Sequence, residues 1–200
     1  MAYTTINDPE KYFKTVLWTG NLFANSITGV NHQPDLLWFK NRGTTNNFEV
    51  IDSSRGTNKK LRLDDDAVEG DSSTRITSFD SDGFTISTDP SVNGNQNKIL
   101  AWSWAANGGT RTTNTESGNN PGGGFQANTT AGFSIVDYTG TGAAGTMAHG
   151  LGAVPHWILF KSRSEASNNW AVYHHRNTAA PETDFLRLNT NAATTDNANF

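Results

Sequence analysis

Pro34-Asp35-Leu36-Leu37-Trp38-Phe39-Lys40-Asn41-Arg42 returns later in the chain as Pro155-His156-Trp157-Ile158-Leu159-Phe160-Lys161-Ser162-Arg163. Each copy has a proline, a polar residue, an apolar run that ends in Phe-Lys, and an arginine two positions on. Successive apolar side chains between turn-forming residues cannot alternate between core and solvent. The run therefore reads as a short central strand covered on both faces. Working outward, Trp18-Thr19-Gly20 returns as Tyr138-Thr139-Gly140, Phe48 as Trp170, and Leu61-Arg62-Leu63 as Leu186-Arg187-Leu188. The landmarks keep their order, and the spacing drifts only between apolar runs, as loops vary around a retained core.

The second copy is shorter than the first. Nothing up to Phe200 answers the segment that runs from Ser78-Phe79-Asp80-Ser81-Asp82-Gly83-Phe84 through Ile99 to Trp104. A sheet that lacks strands exposes an open edge. The sequence is thus expected either to be the N-terminal piece of a longer polypeptide or to take its missing strands from another subunit.

Apolar residues make up 34% of the 200 residues and charged residues 17%, with Gly, Asn, Thr and Ser filling the deficit. The 6 Trp and 11 Phe suffice for small cores, while Asn, Thr and Gly supply turns and solvated strand faces, an all-β profile. A net charge of −4, with Lys and Arg scattered, leaves no basic footprint and argues against nucleic acid as a partner. The one basic cluster, Lys59-Lys60-Leu61-Arg62, runs into Asp64-Asp65-Asp66 and reads as a solvated strand end. The absence of cysteine excludes disulfides and thiolate zinc sites. Met1-Ala2-Tyr3-Thr4-Thr5 has neither the basic nor the apolar part of a signal peptide, and no stretch nears the roughly 20 apolar residues of a membrane span. No membrane insertion is expected.

Asn7-Asp8-Pro9-Glu10 offers a helix cap, a proline at the first helical position and an acidic first turn, predicting one helical turn from residue 9 to about residue 13. Short β-type runs follow at Lys14 to Trp18, Asp35 to Lys40, Asn47 to Asp52, Lys60 to Leu63, Arg75 to Phe79, Gly83 to Ser87 and Lys98 to Trp104. In the last run Leu100, Trp102 and Trp104 share one face and Ala101, Ser103 and Ala105 the other. Residues 107–124 hold almost no apolar side chain and read as a Gly/Asn/Thr-rich linker. Strands resume at Phe133 to Tyr138, His156 to Lys161, Asn169 to His174 and Asp184 to Leu188. The expected organisation is an N-terminal segment (1–13), a first β-sandwich repeat (14–106), the linker (107–124) and a truncated second repeat (125–200). The fold class is all-β, with tandem jelly-roll-like sandwiches, the second incomplete.

Asp80-Ser81-Asp82-Gly83 has the look of a calcium loop, but its twelfth position is Ser91 where an EF-hand needs a bidentate Glu, so a tight turn is the expected reading. Asp64-Asp65-Asp66 is answered in the second copy by Asn189-Thr190-Asn191, which keeps turn propensity and drops the charge. His149, His156, His174 and His175 belong to the second copy alone, and adjacent His174 and His175 are expected on opposite strand faces, so they do not converge as zinc ligands. Among the glutamates only Glu49 falls in a strand, with Asp52 on its opposite side, so no glycosidase carboxylate pair is read. No nucleophile elbow, phosphate loop or dinucleotide fingerprint is present. Trp18, Trp38, Trp157 and Trp170 sit in recurring strands and read as packing residues before sugar platforms. Catalytic, cofactor-binding and metal-binding residues are therefore all expected to be none, with no cofactor.

The landmarks MAYTTINDPEKYF, LWTGN, SITGV, QPDLLWFKNR, SFDSDGF, ILAWSW, AGFSIVDYTGTG, HGLG, PHWILFK and WAVYH resemble a repeated domain of unknown function in structural and tail-fibre-like proteins of marine bacteriophages, cyanophages above all. The resemblance covers essentially the whole chain. It implies a virion protein located in the tail, a tail fibre or tail-apparatus component used in host attachment, and transfers no catalytic residue. Its implied partners are other virion tail proteins, further copies of itself (a trimer being the fibre default) and a host cell-surface glycan or protein. The competing expectations are a glycan-binding or glycan-depolymerising domain and a capsid decoration or head-fibre protein.

Overall fold

The computed structural model describes residues 6–198. The reading of Met1 to Thr5 as lacking a signal peptide, and the chain end at Phe200, lie outside the described residues. The described residues are all-β, with 38% strand and 5% helix.

A 3-10 turn at Pro9–Lys11 leads into β1 (Phe13–Thr19), β2 (Asn25–Thr28), β3 (Leu36–Asn41), β4 (Glu49–Asp52), β5 (Lys59–Arg62), β6 (Gly70–Asp71), β7 (Ile76–Asp80) and β8 (Gly83–Ile86). One turn of helix, α1 (Pro90–Asn93), precedes β9 (Lys98–Trp104) and β10 (Thr112–Asn114). The rest of the chain gives β11 (Gly123–Asn128), β12 (Phe133–Tyr138), β13 (Trp157–Phe160), β14 (Ala171–His174), β15 (Asp184–Arg187) and β16 (Thr195–Asp196). These strands form four antiparallel sheets, ordered β1-β9-β3-β4-β5-β6, β2-β8-β7, β10-β11-β12 and β13-β14-β15-β16.

The six-stranded sheet and the β2-β8-β7 sheet enclose one core. Val16, Leu37, Phe39, Ile51 and Ala101 from the first meet Ile27, Ile76, Phe84 and Ile86 from the second, with Val92 of α1 at one end. Full burial of a Leu or Phe side chain contributes about 1.5–3 kcal/mol, so β3, with Leu37 and Phe39 both sealed, anchors this layer. Its alternate residues Leu36 and Trp38 face the other way. They join Val50, Leu61, Leu63 and Phe48 in a second cluster closed by Trp170 and Leu159 from the later part of the chain. The continuous apolar run thus has a cover on each face. On β9 it is the Ile99, Ala101 and Ser103 side that is fully buried, while Trp102 and Trp104 make a half-buried aromatic ladder against Trp38.

The strand pairings recur with the sequence landmarks. Leu36↔Asp52, Leu37↔Ile51 and Trp38↔Val50 between β3 and β4 are matched by Trp157↔His174, Ile158↔Tyr173 and Leu159↔Val172 between β13 and β14. Val50↔Leu61 is matched by Val172↔Leu186, and Lys60↔Gly70 by Phe185↔Thr195. Loop hydrogen bonds follow: Leu63 N–H donates to Phe48 O as Leu188 N–H does to Trp170 O, and Ser72 N–H to Asn58 O as Asn197 N–H does to Thr183 O.

Several elements were missed by the strand reading. The 107–124 segment, expected as an unstructured linker, contains β10 and the first residue pair of β11. Its start is tied down by Asp35, whose buried carboxylate accepts N–H donors from Ala106 (2.6 Å), Gly108 (2.9 Å) and Gly109 (2.7 Å). Gly108 and Gly109 both have positive φ, which turns their amides toward one anion at a backbone conformation L side chains resist. An apolar count has no term for such polar anchoring. α1 was also missed, although Asp89-Pro90 repeats the cap-proline signal of Asp8-Pro9; the Asp89 carboxylate accepts from Ser91 N–H at 2.8 Å.

Candidate functional site

The acidic motifs are occupied by the fold itself. Asp82 accepts N–H donors from Gly29 (3.0 Å) and Asn31 (2.6 Å), pinning the loop after β2, and these bonds hold its carboxyl below the usual carboxylate range. Asp80 accepts from the Thr85 hydroxyl at 2.9 Å. Gly83 closes the β7–β8 hairpin at φ 149°, where a Cβ would lie 1.9 Å from Ile27 O, so the glycine is sterically required. Asp64 accepts from Phe48 N–H at 3.1 Å, and its counterpart Asn189 accepts from Trp170 N–H at 3.0 Å. The shared requirement behind Asp64-Asp65-Asp66 and Asn189-Thr190-Asn191 is therefore a side-chain oxygen that caps the entry to the strand before, β4 or β14. Among the described residues no group of three or more His, Asp or Glu is placed to hold a metal ion.

Glu49 and Asp52 are both buried, and each is neutralised. Lys60 (3.0 Å) and Arg75 reach Glu49, while Arg55 reaches Asp52. Such pairs are consumed in holding the sheet together. His174 and His175 depart from the expectation of opposite faces: β14 ends at His174, so His175 already lies in the turn, and the two rings sit 5.0 Å apart. His175 stacks closer still on His156, at 4.1 Å, and its backbone N–H donates to His156 O as Ser53 N–H does to Asp35 O. His149 accepts from Leu151 N–H. Trp18 packs edge-on to Phe39 and Phe84 and donates to Val92 O at 3.0 Å, and Trp170 donates to Arg62 O at 2.6 Å. Trp157 stands apart, 52% exposed.

Where the two sets of strands meet, the contacts are paired. Trp170 seals the second cluster, Lys161 donates to Asp66 O at 3.0 Å, and Arg163 clasps Glu69 with two bonds of 2.8 and 2.9 Å. Burial alone would raise Glu69, but the Arg163 and Arg55 hydrogen bonds outweigh it and hold its carboxyl below the ordinary range. Beside this seam opens a cleft of about 450 Å³, lined by Trp38, Phe48, Asp64, Asn189 and Asn191 among others. Trp38 Nε1 is buried there without a hydrogen-bond partner among the described residues. The sequence gives Trp38 and Trp170 as packing residues but not the Lys161 and Arg163 contacts. The usable signal was the pairing of Asp64 with Asn189 and of Phe48 with Trp170 at equivalent positions. Among the described residues no helix is long and apolar enough to cross a membrane.

The geometry defines an all-β chain of antiparallel meanders whose polar clusters mainly brace the scaffold and whose aromatic residues gather at a seam. Residues 8–200 match the family described as Domain of unknown function (DUF7483), and the chain belongs to that family. No curated protein and no solved structure matches it.

Proposed function

We propose that the chain is a structural contact module of a bacteriophage particle, a tail-fibre or tail-apparatus component that takes part in host attachment. The observation that carries this reading is the recurrence of the β3–β6 meander, pairing for pairing, as β13–β16. A repeated antiparallel unit joined through corresponding apolar faces makes a modular, extended scaffold, and surface loops on such a scaffold are suited to recognition. The landmark motifs resembling marine-phage tail proteins support the same reading. In it, 14–106 and 125–200 are tandem sandwich modules, the second lacking strands. The N-terminal turn docks to neighbouring tail proteins, and several copies, a trimer in the simplest fibre, give avidity for a host-surface glycan or protein.

Labelling phage particles with gold-tagged antibody against this chain tests the proposal by electron microscopy. Label on the tail or its fibres is the expected result. Label on the head makes it a decoration protein, and no label on intact particles defeats the virion reading.

The seam cleft favours a second reading as a glycan-binding domain, because indole and phenyl rings lie beside the amides of Asn189 and Asn191. Binding on a surface-glycan array that Asn191→Ala weakens at least tenfold, with an unchanged melting temperature, is the outcome this reading requires.

A further inference from the structure

β3 is paired on both edges, with β4 on one side and β9 on the other. In β13 the partner β14 occupies the β4 side in the same register. The remaining edge of β13 is therefore the one that β9 fills in the first half. Among the described residues it ends its sheet. Trp157, Ile158 and Leu159 at this edge carry no charge and no proline, and Trp157 is half exposed. An apolar open edge of this kind templates pairing with any extended chain, and natural edges are normally blunted by charge, proline, a bulge or a cover.

We infer that the β13 edge is an acceptor for an extended strand of the β9 type, supplied by a partner polypeptide. The first half specifies the occupant. Lys98–Trp104 runs antiparallel to β3, with Leu36↔Trp104, Leu37↔Ser103 and Trp38↔Trp102. Carried across, the partner strand sets an aromatic residue opposite Trp157, a small residue opposite Ile158 and an aromatic residue opposite Leu159. Its aromatic face then continues the seam that Trp38 and Trp102 share in the first half, ring centroids 5.8 Å apart, where Leu159 already packs. Its small-residue face stands beside Ile158, as Ser103 stands beside Leu37. Main-chain hydrogen bonds supply affinity and the alternation supplies selectivity, as in other strand-addition complexes. The inference stands whether or not the chain is a virion protein.

The test uses the full chain and a peptide with the sequence of residues 97–105, extended by a lysine tail for solubility. Amide hydrogen exchange is read at residues 157–159. Alternate amides of a strand point to opposite edges, so the expected result is slowing of about tenfold or more at saturating peptide for those facing away from β14, together with a higher melting temperature. The peptide carrying Trp102→Pro, which loses the N–H that faces Leu159, gives no slowing. The same strand tethered after residue 200 by a Gly/Ser linker gives the slowing without added peptide. Failure of both the free and the tethered strand to protect residues 157–159 overturns the inference. So does protection that the chain alone acquires as its own concentration rises, which would make a second copy the occupant.

Discussion

β3–β6 and β13–β16 pair in the same register, yet they live in different surroundings. In the first meander Leu37 and Ile51 are wholly sealed, because β9 extends the sheet and the β2-β8-β7 layer lies over that face. In the second, the equivalent Ile158 and Tyr173 are only half-buried. The opposite face behaves alike in both: Val50 and Val172 are each buried, and Phe48 and Trp170 meet at the seam. Register is thus set locally, by turn chemistry and alternation, whereas burial is set by what the rest of the chain brings to each face. The Asp35–His156 pair teaches the same lesson. Both sit before the apolar strand and accept a backbone N–H through their carbonyl, but only Asp35 has a Gly-Gly segment to gather.

Substitutions at paired positions separate the two settings. Trp170→Ala removes a buried indole and its bond to Arg62 O, and is expected to cost about 3–5 kcal/mol, read by urea unfolding. Leu37→Ala should cost about 3 kcal/mol, whereas Ile158→Ala, on the half-buried face, should cost about 1 kcal/mol or less; equal losses would erase the contrast in cover. Asp35→Asn leaves its gathered amides short of an acceptor and should cost about 2–3 kcal/mol, while His156→Asn stays within about 0.5 kcal/mol. Asp64→Ala and Asn189→Ala each lose one strand-entry cap and should each cost about 1 kcal/mol, so a large difference between them would break the equivalence.

The smallest effect is on pH dependence. His32 is buried between Glu10 O (2.7 Å) and the Ser103 hydroxyl (2.8 Å), and burial pushes its pKa below the ordinary value of 6.5. The unfolded chain then takes up a proton that the folded chain refuses. The stability His32 supports is complete above about pH 6.5 and is lost as the pH falls below it. Urea melts at pH 7.5 and 5.5 should show a steeper fall for the natural chain than for His32→Gln, which has no proton to gain.

Much of the strand content was legible because apolar runs between turn residues leave little choice: β1, β3, β4, β5, β7, β8, β9 and β12–β15 all fall within or beside predicted runs. β2, β11 and the short β6, β10 and β16 were not, since Asn25–Thr28 or Gly123–Asn128 has little apolar character and becomes a strand through its neighbour's free edge. The fixing of 107–109 depends on Asp35, far away in sequence, and no local window contains both. The seam was equally invisible. Trp170 and Arg163 read as parts of a second copy, and nothing in the sequence said which face of the first copy they would meet.

The measurement that bears most directly on this account is strand-by-strand NMR of the labelled chain. Cross-strand Hα contacts linking Leu159 to Val172 and Ala171 to Arg187 should mirror those linking Trp38 to Val50 and Glu49 to Arg62. Amides of Leu37 and Phe39 should exchange near the global unfolding limit, while those of residues 157–159 that face away from β14 should exchange well above it. A one-residue shift in the second set of contacts, or equal protection of β3 and β13, would contradict it.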